Sequence, residues 1–180
     1  MLDKELRKFG RKVVSESKKN LKKNKIKDSD LGKSLKYSVK TKKGITSLTF
    51  KMNDYWEYVD AGVKGVGGEK ANGDSWKVKK VTNNKFKYRD KKPPAKVFSK
   101  WSVKKGLAPR NSKGKFTSRK GMQFAIATSV YHTGLKTTNF FTDAFYNQID
   151  KVSNDLGDAL VLEIENTLEA SLVNDNIIIK

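Results

Sequence analysis

A catalytic triad needs a nucleophile, a histidine and an acid converging on one point, and this chain has a single histidine, His132, and no cysteine. The missing cysteines exclude disulfides, thiolate metal sites and thiol nucleophiles. His132 stands two residues before Gly134, at an expected helix end, where capping or packing is a histidine's ordinary role. The acids Asp143, Asp150, Asp155, Asp158, Glu163, Glu165 and Glu169 spread around one expected helix and form no facing pair. They read as a solvated face, or as a negative surface for the basic part of a neighbouring subunit. The glycines from Gly62 to Gly68 lack the Gly-Lys-Ser/Thr ending of a phosphate-binding loop and the strand–glycines–helix setting of a dinucleotide site. They predict a flexible loop. The expectation is a protein that is not an enzyme and holds no cofactor and no metal.

What remains is charge. The 180 residues carry 39 Lys+Arg against 19 Asp+Glu, a formal net charge of +20. Residues 1–120 hold 36 basic and 11 acidic side chains, while residues 121–180 hold 3 and 8. Such a field favours anionic partners, whether nucleic acid or an acidic protein surface. Of the basic residues 34 are Lys, and arginine is the usual reader of guanine edges. The surplus therefore points to a diffuse field with little sequence readout. The candidate contacts to DNA or a neighbouring subunit are Lys77, Lys79, Lys80, Lys85, Lys87 and Arg89, then Arg110, Lys113 and Lys115. Trp76, Phe86 and Tyr88 interleave the first group. They could stack bases along a backbone, or pack on their own domain.

Several elements must position these groups. Leu2, Leu6, Phe9 and Val13 form one stripe of an N-terminal helix with basic flanks. Leu35, Tyr37, Val39 and Thr41 alternate with Lys36, Ser38, Lys40 and Lys42, and Thr46, Leu48, Phe50 and Met52 alternate after Lys43-Gly44, which predicts a β-hairpin with one apolar face. A short helix is expected through Trp56 and Val59, closed by Gly62, and another after Pro94, ended by Gly106. Ser118 to Gly134 reads as a helix of about fifteen residues. Phe141, Phe145, Ile149, Val152, Leu156, Leu160, Ile164, Leu168 and Leu172 then step by three or four along the longest helix, where Gly157 suggests a kink. Asn176 to Ile179 suggests a last strand. The fold class is α+β: a small antiparallel sheet packed by an N-terminal helix and a long C-terminal helix, one domain over 1–180 with a basic irregular insertion at 63–117. No apolar run approaches the ~18 residues of a membrane span, so a soluble protein without membrane contact is expected.

Two stretches carry a resemblance. Tyr55-Trp56-Glu57-Tyr58-Val59-Asp60-Ala61-Gly62 resembles the Tyr-x-x-Tyr-Val-Glu-x-Gly-Thr segment of the HK97 gp10-like family of phage tail-completion and neck (head–tail connector) proteins. Gly134-Leu135-Lys136-Thr137-Thr138-Asn139-Phe140-Phe141 through Phe145, behind the helix of Phe124 to Ala127, is similar to that family's connector and the start of its final helix. The order of elements fits too, over roughly residues 1–62 and 118–172. Val63 and Asn139 depart from it, standing where the family has Thr and often Pro. The resemblance implies a structural virion protein of a tailed bacteriophage, made in the host cytoplasm and built into the tail or neck. Its implied partners are copies of itself in a ring, neighbouring portal, adaptor or tail proteins, and double-stranded DNA in the channel. The alternative reading is a basic nucleic-acid-binding protein of low specificity. A nuclease, a weaker third reading, would need a metal site for which no ligand cluster is present in the sequence.

Overall fold

The computed structural model describes residues 2–26, 29–82, 85–116 and 118–174, with residues 168–174 as backbone. The strand suggested for 176–179 lies outside the described residues. The chain clusters into two compact units, one formed by Met1–Trp56 with Asn139–Lys180 and the other by Glu57–Thr138. The class is α+β, with an N-terminal helix, a long C-terminal helix and antiparallel two-stranded ladders.

In the first unit helix α1 (Leu2–Lys23) buries Phe9, Val13, Ser17 and Leu21, a strict four-residue step that keeps one face inward. A short helix, α2 (Asp30–Ser34), begins where the Ser29 hydroxyl accepts the Gly32 amide at 3.1 Å. Strands β1 (Lys36–Lys42) and β2 (Ile45–Lys51) form the expected hairpin, with Tyr37 opposite Phe50, Val39 opposite Leu48 and Thr41 opposite Thr46. Lys43 (φ 51°) and Gly44 (φ 77°) make its two-residue turn, the left-handed pair whose twist matches a hairpin.

Packed on α1 is the long helix α6 (Thr142–Asn174). Phe9, Val13 and Val152 form the buried centre, with Leu48, Phe50, Phe141, Phe145, Ile149 and Leu156 against it. Ring edges meet faces between Phe9 and Phe145 (5.6 Å), Phe50 and Phe141 (5.3 Å), and Trp56 and Phe141 (5.5 Å), the geometry that aromatic quadrupoles prefer. Glu16 accepts hydrogen bonds from the Asn147 and Gln148 side-chain amides, and Asn20 Nδ2 donates to the Phe140 carbonyl at 3.1 Å.

Burial along these faces is graded. Phe140, Val152 and Leu35 are buried, whereas Phe141, Phe145, Ile149, Tyr37, Leu48 and Phe50 are half-buried. Leu48, Phe50, Phe141 and Phe145 line an open groove together with Met52 and Trp56. Gly157 introduces no break, and α6 is continuous through it. The apolar stripe of α6 is covered only as far as Ala159, because Leu160 and Ile164 are exposed. Asn139 takes φ 45°, which the proline of the family's pattern cannot adopt.

Helix α3 (Trp56–Ala61) leads into β3 (Val63–Lys64), which belongs to the second unit. A 3-10 turn at Ala95–Phe98 runs into α4 (Ser99–Lys104). Helix α5 (Arg119–Thr133) starts at Ser118, whose hydroxyl accepts the Gly121 amide at 3.0 Å, and stops at Gly134. Strand β4 (Gly134–Leu135) pairs antiparallel with β3.

Candidate binding surface

The basic segment is built on a backbone junction in the second unit. Val63 pairs with Leu135 and Lys64 with Gly134. The Thr138 amide donates to the Asp60 carbonyl at 3.0 Å, and the Thr138 and Thr137 hydroxyls donate to the Val59 and Ala61 carbonyls, each at 2.7 Å. Beyond β3 the Val66 and Gly67 amides donate to the Tyr131 and His132 carbonyls. The glycine-rich stretch, expected to be a flexible loop, is thus held along the end of α5. Gly65 shows why glycine is required: a Cβ there would lie 2.2 Å from the His132 carbonyl oxygen and 2.5 Å from the Gly134 nitrogen.

On this junction the candidate cations fall into two places. Residues 77–82 and 85–89 run beside it, with the Lys79 amide on the Thr133 carbonyl, the Thr82 amide on the Thr137 hydroxyl, and the Phe86 carbonyl and Tyr88 amide on either side of Lys64. Lys77, Lys79, Lys80, Lys85, Lys87 and Arg89 are all exposed. Lys85 also pairs with Glu57 at 2.7 Å, an exposed pair of small worth. Arg110, Lys113 and Lys115 belong to a separate turn, organised by the Asn111 side-chain oxygen, which accepts the Lys113 and Lys115 amides at 3.0 Å. Within residues 57–138 there are 20 Lys+Arg and 5 Asp+Glu, a net +15.

The aromatic residues divide differently from their order in sequence. Trp76 stacks on His132 at 5.0 Å and 6° between planes, Phe86 lies 4.4 Å from Tyr58, and Tyr88 sits 5.9 Å from Tyr131. All three are half-buried, and burial pushes the Tyr88 hydroxyl pKa up. They hold the basic segment on its own unit and are not free platforms for bases. His132 is committed the same way, with Nδ1 2.6 Å from the Gly67 carbonyl.

The aromatics left outside are ones that interleaving did not single out. Phe116 is 66% exposed with the Arg110 guanidinium over its ring at 4.1 Å, and Phe124 is 60% exposed with Lys92 over it at 5.4 Å. The available signal was proximity in sequence, since Arg110 and Phe116 flank a Asn-Ser-Lys-Gly turn. What this surface can do chemically is attract and hold anions. Among the described residues no three His, Asp or Glu side chains gather as metal ligands, and no helix is long and apolar enough to cross a membrane. No family model, no curated protein and no solved structure matches the chain.

Proposed function

We propose that the chain is a structural virion protein of a tailed bacteriophage, a subunit of the head–tail connector or tail-completion ring that joins portal or neck to tail. The observation that carries this reading is the joining of its two motif stretches. Residues 59–63 and 134–138, which are 71 positions or more apart, meet through the Val63–Leu135 pair and the Asp60–Thr138 and Ala61–Thr137 hydrogen bonds. Further along the same stretches Trp56 lies edge-on to Phe141. The stretches that carry the resemblance are therefore paired with each other within the second unit. The order of helix, hairpin, motif, basic segment, motif and long helix supports it further.

The mechanism is mechanical. Copies close into a ring around the channel through which the genome passes, and closure requires one patch of a subunit to meet a different patch of the next. The basic unit faces an anionic surface in the assembled state, either a neighbouring ring or the DNA in the lumen, which offsets the self-repulsion of its +15 charge. Neutralising Lys77, Lys79, Lys80, Lys85, Lys87 and Arg89 together tests this. The variant folds, because these side chains are exposed, but yields few infectious, DNA-filled particles. Normal yields would refute the role given to these cations.

A second reading, a nucleic-acid-binding protein of low specificity, is favoured by Phe116 and Phe124. Exposed rings beside cations offer an unpaired base a stacking surface and its phosphate a charge partner. Its signature is single-strand binding by the isolated chain that weakens steeply with salt and is lost in Phe116→Ala with Phe124→Ala.

A further inference from the structure

Helix α6 runs on past its last buried side chain. Ala159 is the last buried residue among its described side chains, yet the helix continues to Asn174. A segment of that length is marginal in water unless an apolar face is covered. Leu160, Val161 and Ile164 are each about half exposed, between 48% and 54%. At about 100° per residue they fall within one stripe about 100° wide. Asp158 and Glu165 are on its flank, both exposed. From Val152 to Asn174 the sequence has five acids and no cation.

The second unit carries the complement. Val97 and Trp101, four residues apart across the 3-10 turn and α4, are 62% and 47% exposed. Lys96, Lys100 and Lys105 surround them, all exposed. One patch is apolar with an acidic border, the other apolar with a basic border.

We infer that the acidic end of α6 docks on the Val97–Trp101 patch of a second copy of this chain. The contact is heterologous, because the two patches differ, so each copy offers both halves and the chain can close head to tail. A second copy is favoured over an unrelated partner because both complementary patches are present on the same sequence, with opposite signs and exposed apolar centres. This inference rests on the ring reading and names the surface that builds the ring.

The test uses the full chain. Mixed ¹⁵N-labelled and unlabelled protein is treated with a water-soluble carbodiimide, which joins a carboxylate directly to a lysine amine. Cross-links from Asp158 or Glu165 to Lys100 or Lys105 with mixed isotopes are expected. Sedimentation should show oligomers whose affinity falls roughly tenfold or more in Asp158→Lys with Glu165→Lys, and likewise in Lys100→Glu with Lys105→Glu. Combining all four substitutions should restore it. Cross-links within single-isotope chains only, oligomers indifferent to both reversals, or monomers at every concentration would each overturn the inference. Rings still present in particles assembled from both reversal variants would sink this contact while leaving the ring reading standing. Absence of the wild-type chain from particles would count against the ring reading itself.

Discussion

Gly65→Ala is the sharpest probe of the junction that holds the basic segment. The new methyl group would lie 2.2 Å from the His132 oxygen, 2.5 Å from the Gly134 nitrogen and 2.6 Å from the Thr133 carbonyl carbon. All three are backbone atoms, so no side chain can swing away. Reaching an ordinary contact of 3.4 Å means separating the two backbones by more than 1 Å. The neighbouring hydrogen bonds, Val66 to Tyr131 at 3.1 Å and Gly67 to His132 at 3.0 Å, cannot survive that shift. Two lost bonds at ~0.5–1.5 kcal/mol each and overpacking strain of ~1–3 kcal/mol give a loss of about 2–6 kcal/mol. For a chain of this size that corresponds to a fall in Tm of roughly 5–20 °C. Calorimetry gives the total, and hydrogen exchange at the Val66 and Gly67 amides localises it. Gly157→Ala is the control: nothing lies within 4 Å of its Cβ position inside α6, so alanine should stabilise by ~0.5–1 kcal/mol. A Gly65→Ala protein with unchanged Tm and unchanged protection at both amides would refute the close-approach argument.

Other outcomes follow from the first unit. Phe140→Ala, at a fully buried ring, should cost ~3–5 kcal/mol in urea denaturation. Phe145→Ala should cost clearly less because its ring is half-buried on the open groove; equal losses would show the groove closed in solution. Ser17 has a buried hydroxyl with no hydrogen-bond partner among the described residues, so Ser17→Ala should be neutral or stabilising by ~1 kcal/mol, and a clear loss would reveal a partner. Hydrogen bonds from Gln148 and then Asn147 hold the Glu16 carboxyl below the ordinary glutamate range. Its stabilisation is therefore present above the unfolded pKa and is lost as pH falls through the depressed folded one. Glu16→Gln should flatten that acid limb of the stability curve, and an unchanged limb would remove Glu16 as its source.

What was legible in the sequence was whatever local chemistry dictates. Two-residue alternation around Lys43-Gly44 marked the hairpin, and Ser118 and Gly134 marked both ends of α5 because caps are local. The junction was not legible. Its bonds are between backbones some seventy residues apart, and glycines chosen for close approach look the same in sequence as glycines of a loose loop. The interleaved aromatics misled for a similar reason. Trp76, Phe86 and Tyr88 sit among lysines, but their partners His132, Tyr58 and Tyr131 are distant along the chain. Periodicity also carried the α6 stripe past Ala159, since a repeat reveals a face without revealing whether anything covers it. The five-residue α2 was too short to show any period at all.

The central claim is assembly into a connector ring, and electron cryomicroscopy of native tailed particles carrying this chain tests it most directly. The expected density at the head–tail junction is a closed ring of this subunit with sixfold or twelvefold symmetry, its basic unit against DNA or an acidic neighbour. Particles that lack the chain, or hold it only as a monomer or a twofold dimer, would contradict the claim.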